Sequence, residues 1–185
     1  MENIEIKNLS KSFEGRKVID GLSLTIPLQS RTAFMGRSGI GKTTLLNIMA
    51  GLTEPDEGTV TGVPLKKAAV FQEDRLCEDF TALANVKLVS ESTDCREIFH
   101  RLLIPDAADK EVRVLSGGMK RRVAIARAVM SDADIIFLDE PFKGLDGDSK
   151  KAAAGVLLDT GKTIIMVTHD KSEAELMGAE IVELK

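Results

Sequence analysis

A chain of 185 residues that is 43% hydrophobic and 29% charged can bury a core, which excludes wholesale disorder. Its net charge of -4 supplies no basic field for nucleic acid, and no apolar run approaches the roughly 18 residues of a membrane span. Met1-Glu2-Asn3 does not open a signal peptide, and Cys77 and Cys95 lack metal-ligand or redox spacing, which predicts a reducing, cytosolic setting.

Residues 3–9 and 22–26 alternate apolar and polar side chains, the pattern of antiparallel strands with one wet face. Residues 31–35 form a brief apolar strand that ends at a glycine-rich turn, and 43–50 turn helical with Gly51 as C-cap. Residues 67–71 read as another strand. From Gln72 to Leu115 the strand signal vanishes and 95–103 look helical, so 74–115 are expected to be a small helical insertion. Helical patterns at 119–130 and 149–158 precede the β-rich runs 135–138 and 163–167, and a last strand spans 181–184. Such alternation predicts an α/β fold with a parallel-sheet core and an N-terminal antiparallel β-subdomain. With no repeat and no linker, residues 1–185 are expected to form one domain.

Gly36-Arg37-Ser38-Gly39-Ile40-Gly41-Lys42-Thr43-Thr44 matches G-x-x-x-x-G-K-[ST] between a strand and a helix. The glycines let backbone N–H groups turn toward phosphates, and the following helix offers its positive end. Lys42 is placed to reach the β- and γ-phosphates, and the Thr43 hydroxyl to ligate Mg²⁺. Ile135-Ile136-Phe137-Leu138-Asp139-Glu140 supplies a buried strand whose C-terminal edge is where α/β sheets hold ligands. There Asp139 can organise Mg²⁺ and Glu140 can polarise an attacking water.

With Leu115-Ser116-Gly117-Gly118-Met119 added, the chain resembles the ATP-binding cassette family, the ATPase subunits of ABC transporters, from about Ile4 onward. The resemblance implies a P-loop NTPase (RecA-like) core that binds ATP and Mg²⁺. It also implies that Leu115 to Met119 face the γ-phosphate held by a second copy in a head-to-tail dimer. Ser116 can cap the helix that follows. Gln72 matches the glutamine loop that reaches the Mg²⁺ site and the membrane subunit, His169 the switch histidine, and Asp146 the aspartate of the D-loop. Phe13 sits where the family stacks an aromatic ring on adenine. Phe34 and Phe137 read as core, His100 as an ordinary helical residue, and Lys120-Arg121-Arg122 as a solvated basic face.

The family signature ends in Gln where this chain has Met119, Gln29-Ser30-Arg31 replaces the usual Gly-Glu in a turn, and Lys143-Gly144 replaces Ser-Ala. About twenty residues separate Gly51 from Gln72, so a hairpin strand is expected to be trimmed. Val70 to Leu76 is similar to importers of the nitrate, sulfonate and taurine group. The resemblance thus implies an ATPase at the cytoplasmic face of the cell membrane. Its partners would be a second copy, a membrane permease and a solute-binding protein, with no nucleic acid. The alternative is a soluble cassette ATPase, for example of the iron–sulfur assembly type. A regulatory module without turnover would lack Glu140 or His169, and both are present.

Overall fold

The computed structural model describes residues 3–90, 92 and 94–184. The chain opens with β1 (Asn3–Phe13) and β2 (Arg16–Pro27), an antiparallel hairpin. Its two-residue turn puts Glu14 and Gly15 at φ +50° and +78°, as a tight hairpin turn matching strand twist requires. After β3 (Arg31–Met35) and α1 (Lys42–Ala50), β4 (Glu57–Thr61) returns to pair with β1, giving a three-stranded sheet ordered β2-β1-β4. The short interval before Gln72 therefore holds β4 as well as β5 (Lys67–Val70). β4 was not anticipated, because only Val60 of its five residues turns inward.

The second sheet is parallel. Its remaining strands are β6 (Ile135–Asp139), β7 (Thr163–Val167) and β8 (Glu180–Glu183), in the order β5-β6-β7-β3-β8. Every residue of β6 and β7 is buried, as expected for strands covered on both faces. Because side chains alternate across a strand, the two faces feed two cores. Phe34, Ile135, Phe137, Ile165 and Val167 pack with Ile4, Ile6 and Leu9 of the small sheet and with Leu45, Leu46 and Met49 of α1. Ala33, Ile136, Leu138, Ile164 and Met166 pack on the opposite side against the remaining helices. Phe34 and Phe137 are core, as the sequence suggested.

Those helices are α2 (Ala82–Lys87), α3 (Glu97–Arg101), α4 (Gly117–Met130), α5 (Gly147–Leu158) and α6 (Lys171–Leu176), with 3-10 turns at Pro105–Ala107 and Val112–Val114. The segment expected to be a helical insertion is built from α2, α3 and these turns. Buried Asn85 pins it: its Oδ1 accepts from the Cys77 N–H at 2.8 Å, and its amide donates to the Cys77 and Thr81 carbonyls at 3.0 Å each. Val86, Phe99 and Leu102 fill its interior.

The departure at Gln29 stays within a turn. Gln29 adopts φ +59°, and its N–H donates to Thr163 Oγ1 at 2.8 Å. That conformation favours glycine, and the chain instead holds it with a hydrogen bond to the neighbouring strand.

Candidate functional site

The parallel register gathers the chemistry. Phe34 and Asp139 both lie level with Val167, and Val70 lies level with Leu138. Four strands therefore end at one edge of the sheet, and the residues just past them converge there. The phosphate loop follows β3, Gln72 follows β5, Glu140 follows β6, and His169 follows β7. A cavity of about 230 Å³ at this edge is lined by Val18, Ser38, Gly39, Gly41, Lys42, Thr43, Thr44, Gln72, Asp139, Glu140 and Val167.

The loop's shape depends on its glycines. Gly36 and Gly41 adopt φ +146° and +101°, and a Cβ on Gly41 would lie 2.7 Å from the Val18 carbonyl oxygen. No other residue fits there without displacing the β1–β2 hairpin. Gly41 also caps α1, so the helix meets the cavity with its first N–H groups unpaired by any side chain. The Lys42 ammonium arches back over the loop, donating to the Gly36 and Arg37 carbonyls at 2.9 and 3.0 Å.

Across the cavity, the Thr43 hydroxyl donates to Asp139 Oδ2 at 2.9 Å. Burial pushes the Asp139 carboxyl above the ordinary aspartate range, and the Thr43 hydrogen bond opposes that rise. A hydroxyl, a carboxylate and the Gln72 amide at one cavity form the hard oxygen donor set that suits Mg²⁺. Among the described residues, no cluster of three or more His, Cys, Asp or Glu side chains could hold a metal alone. A cation at Thr43 and Asp139 would therefore take its remaining oxygens from water or from a bound nucleotide.

Glu140 sits at φ +50°, a left-handed backbone uncommon for a residue with a side chain, and its N–H donates to the Val167 carbonyl at 2.9 Å. Its carboxylate oxygens each lie 3.0 Å from His169 Nδ1. That contact raises the His169 pKa above the usual histidine range. His169 itself lines an adjoining cavity with Gly36, Arg37 and Ile40. The His169 loop is fastened from beneath. Buried Thr168 donates to Glu173 at 2.6 Å, and Glu173 also accepts from Lys150 of α5 at 2.7 Å.

Other candidates stand apart from this cavity. Phe13 is 48% exposed at the hairpin tip, with the Lys11 ammonium 5.5 Å over its ring. Neither Phe13 nor Leu115 to Met119 lines the phosphate cavity, and Asp146 does not either. Ser116 Oγ accepts from the Met119 N–H at 3.3 Å and caps α4, while Asp146 caps α5 through the Ser149 N–H at 2.9 Å. These two turns abut: a Cβ on Gly118 would lie 3.3 Å from the Gly144 carbonyl oxygen.

Two features were missed in the sequence. Val18 lines the cavity and braces Gly41, yet nothing distinguishes it from any other strand valine. Arg121 belongs to a basic run expected to be solvated, but its side chain is only 6% exposed and donates to the Phe71 and Gln72 carbonyls. Arg122 likewise turns inward, to the Gly118, Leu102 and Leu103 carbonyls. A larger cavity of about 920 Å³, lined by Gln29, Leu65, Asp132 and Lys162 among others, lies at the opposite edge and holds none of the motif residues.

Comparison with known proteins places the chain. The family model described as ABC transporter matches residues 19–143. The aliphatic sulfonates import ATP-binding protein SsuB of Corynebacterium glutamicum is 36% identical, with 97% of this chain and 79% of that protein aligned. The taurine import ATP-binding protein TauB of Roseobacter denitrificans is 34% identical over 98% of this chain and 77% of its own. Among solved structures, the dimeric bacterial ABC transporter cassette MJ0796 superposes with TM-score 0.86 at 30% identity, covering 98% of this chain and 94% of the cassette. The same cassette in a post-hydrolysis state with ADP and Pi gives TM-score 0.85. The chain therefore belongs to the ABC transporter family and is one of its ATP-hydrolysing cassettes.

Proposed function

We propose that this chain is the MgATP-hydrolysing subunit of an ABC transporter, working as a head-to-tail pair of identical cassettes that powers solute movement through a membrane permease. One observation carries the reading. The phosphate loop, Gln72, Asp139 and Glu140 line one cavity, whereas the Ser116-Gly117-Gly118 turn, itself suited to phosphate, lies outside it. Each chain thus holds two half-sites that cannot meet internally, and two copies related by a twofold axis complete two sites.

Within a site, Lys42 and the loop N–H groups from Gly36 to Thr44 hold the phosphates. Phe13 stacks on adenine. Thr43, Asp139 and Gln72 would hold Mg²⁺, which supplies charge neutralisation at the β- and γ-phosphates. Glu140 accepts a proton from the attacking water, and His169 donates toward the γ-phosphate while orienting Glu140. Ser116 and Gly118 of the other copy close over the γ-phosphate, with Leu115, Gly117 and Met119 shaping their turn. Asp146 fixes the adjoining loop.

Among the described residues no helix is long and apolar enough to cross a membrane. A permease therefore supplies the membrane-spanning path, with the cassette docked peripherally at the cytoplasmic face and a solute-binding protein as a further component. Residues 1–185 act as one cassette, and the helical insertion 74–115 offers half-exposed Phe80 as a docking contact. Val86 of the same insertion is fully buried and belongs to the insertion's own core, so it offers no such contact. The import ATP-binding proteins among the relatives favour a permease partner over a soluble, permease-free ATPase.

Ser116→Arg tests the composite site. It fills the space meant for the other copy's γ-phosphate without touching the loop that binds ATP in one chain. Fluorescent ATP binding to the monomer is expected to persist while ATP-dependent dimerisation and phosphate release disappear. Normal phosphate release by this variant overturns the paired-site reading.

A further inference from the structure

The loop that carries Gln72 is held by arginines that the hydrolytic chemistry does not use. Arg121 of α4 donates through Nη1 to the Phe71 carbonyl at 2.5 Å and through Nη2 to the Gln72 carbonyl at 2.7 Å. Arg127, further along the same helix, donates to the Asp74 and Arg75 carbonyls at 3.2 and 2.9 Å. Four of the five carbonyls from Phe71 to Arg75 thus accept from one helix. The loop is also closed on itself, since the Arg75 guanidinium carbon sits 3.8 Å over the Phe71 ring, with Arg75 at φ +47°.

Arg121 has a second tie. Its Nε lies 3.2 Å from Asp74 Oδ1, off the hydrogen-bond direction, so charge alone joins them. Asp74 Oδ1 is the single buried side-chain nitrogen or oxygen without a hydrogen-bond partner among the described residues. A guanidinium this deeply buried needs its acceptors, because each carbonyl or carboxylate it loses leaves an unpaired group out of reach of water. The grip is therefore stiff, with one geometry.

We infer that Arg121, anchored on Asp74, is a positioning residue for Gln72: it binds the main chain of the Gln72 loop to α4, so that Gln72 enters the phosphate cavity only as far as α4 allows. The inference rests on the proposed role of Gln72 at the Mg²⁺ site. Its mechanical content follows from where α4 begins. Ser116 caps that helix and is the residue that meets the other copy's nucleotide, and Arg121 lies one turn and a half beyond it. A shift of α4 on closing over that nucleotide is passed by the guanidinium to the Phe71 and Gln72 carbonyls, with no slack from solvent. Each chain would then tune its own Gln72 according to what its Ser116 has met.

The test is a double-mutant cycle between Arg121→Gln and Gln72→Ala, measuring kcat and KM for ATP with melting temperature alongside. Arg121→Gln is expected to lower kcat about tenfold with KM changed less than about twofold, since misplacement of a positioning contact acts on turnover. In the Gln72→Ala background, Arg121→Gln is expected to cost nothing further. Arg121→Lys keeps the charge opposite Asp74 and one carbonyl contact, so it is expected to restore part of kcat. It also serves in the cycle if the glutamine variant does not fold. Losses that multiply across the cycle, or a wild-type kcat in Arg121→Gln, overturn the inference while leaving the role of Gln72 standing. Unaltered turnover in Gln72→Ala overturns both.

Discussion

Glu140→Gln separates chemistry from stability, and the structure sets the size of each effect. The folded chain loses the contact between the carboxylate and His169 Nδ1, made at 3.0 Å to each oxygen. Two unit charges at that distance attract by about 1.4 kcal/mol in a water-like medium. The His169 side chain is 74% exposed, so water and salt reduce this to well under about 1 kcal/mol. Glutamine keeps an oxygen that accepts from Nδ1–H. The melting temperature should therefore fall by less than about 3 °C. The sign of the pH effect follows from the raised His169 pKa. The stability supplied by the pair is fully present below the unfolded histidine value of about 6.5 and is lost as pH rises through the folded value. Urea titrations should show the wild type ahead of the variant at pH 6, with the gap closing by pH 9. Turnover behaves differently. Removal of the group proposed to accept the water proton should cost about 10²- to 10⁴-fold in phosphate release. ATP affinity should stay within about threefold, because Gln and Glu occupy the same space beside the phosphates, a change worth under about 1 kcal/mol. With hydrolysis blocked, ATP should hold the chain at doubled mass in gel filtration. Unchanged phosphate release would remove Glu140 from the chemistry, and a stability gap that persists at pH 9 would refute the ion-pair account of His169.

Three further substitutions probe other parts of the site. Gly41→Ala forces φ +101° on a residue with a Cβ and presses it against the Val18 carbonyl, strain of about 1–2 kcal/mol, so ATP affinity should fall about 5- to 30-fold by equilibrium titration. Phe13→Ala should weaken ATP binding about fivefold, as loss of one stacking face does, and should barely alter GTP discrimination; unchanged affinity would detach the hairpin tip from the base. Phe80→Glu, at a half-exposed position, should shift stability by no more than about 0.5 kcal/mol yet abolish co-purification with a tagged permease partner. Retained co-purification would move the docking surface elsewhere.

The site was legible because its residues follow strands of unmistakable pattern. Runs such as Ile135-Ile136-Phe137-Leu138 can only be buried on both faces, and in a parallel sheet the residues after them share one edge. What the sequence hid are relations that carry no periodicity. β4 shows a single inward residue, Val60, and α6 runs for only six residues with little apolar pattern. Lys120-Arg121-Arg122 looks like a wet basic face, since burial of a guanidinium depends on carbonyls about fifty positions away. The separation of Ser116 from the phosphate cavity is likewise a matter of three dimensions, invisible in motif order.

The five consecutive buried residues of β6 and of β7 also govern how the molecule breathes. Amides in these strands have a sheet neighbour on each edge and a core above and below, so proton exchange with solvent there requires global unfolding. Asp139, Glu140 and His169 thus hang from the most slowly exchanging part of the chain, a fixed anvil. The helical insertion, built from short helices and turns, can open at lower cost. In deuterium uptake followed by mass spectrometry, peptides from β6 and β7 should label last and together, and those from 82–114 much earlier. Motion that a partner imposes on the insertion would then reach the Gln72 loop, while Asp139, Glu140 and His169 keep their mutual spacing.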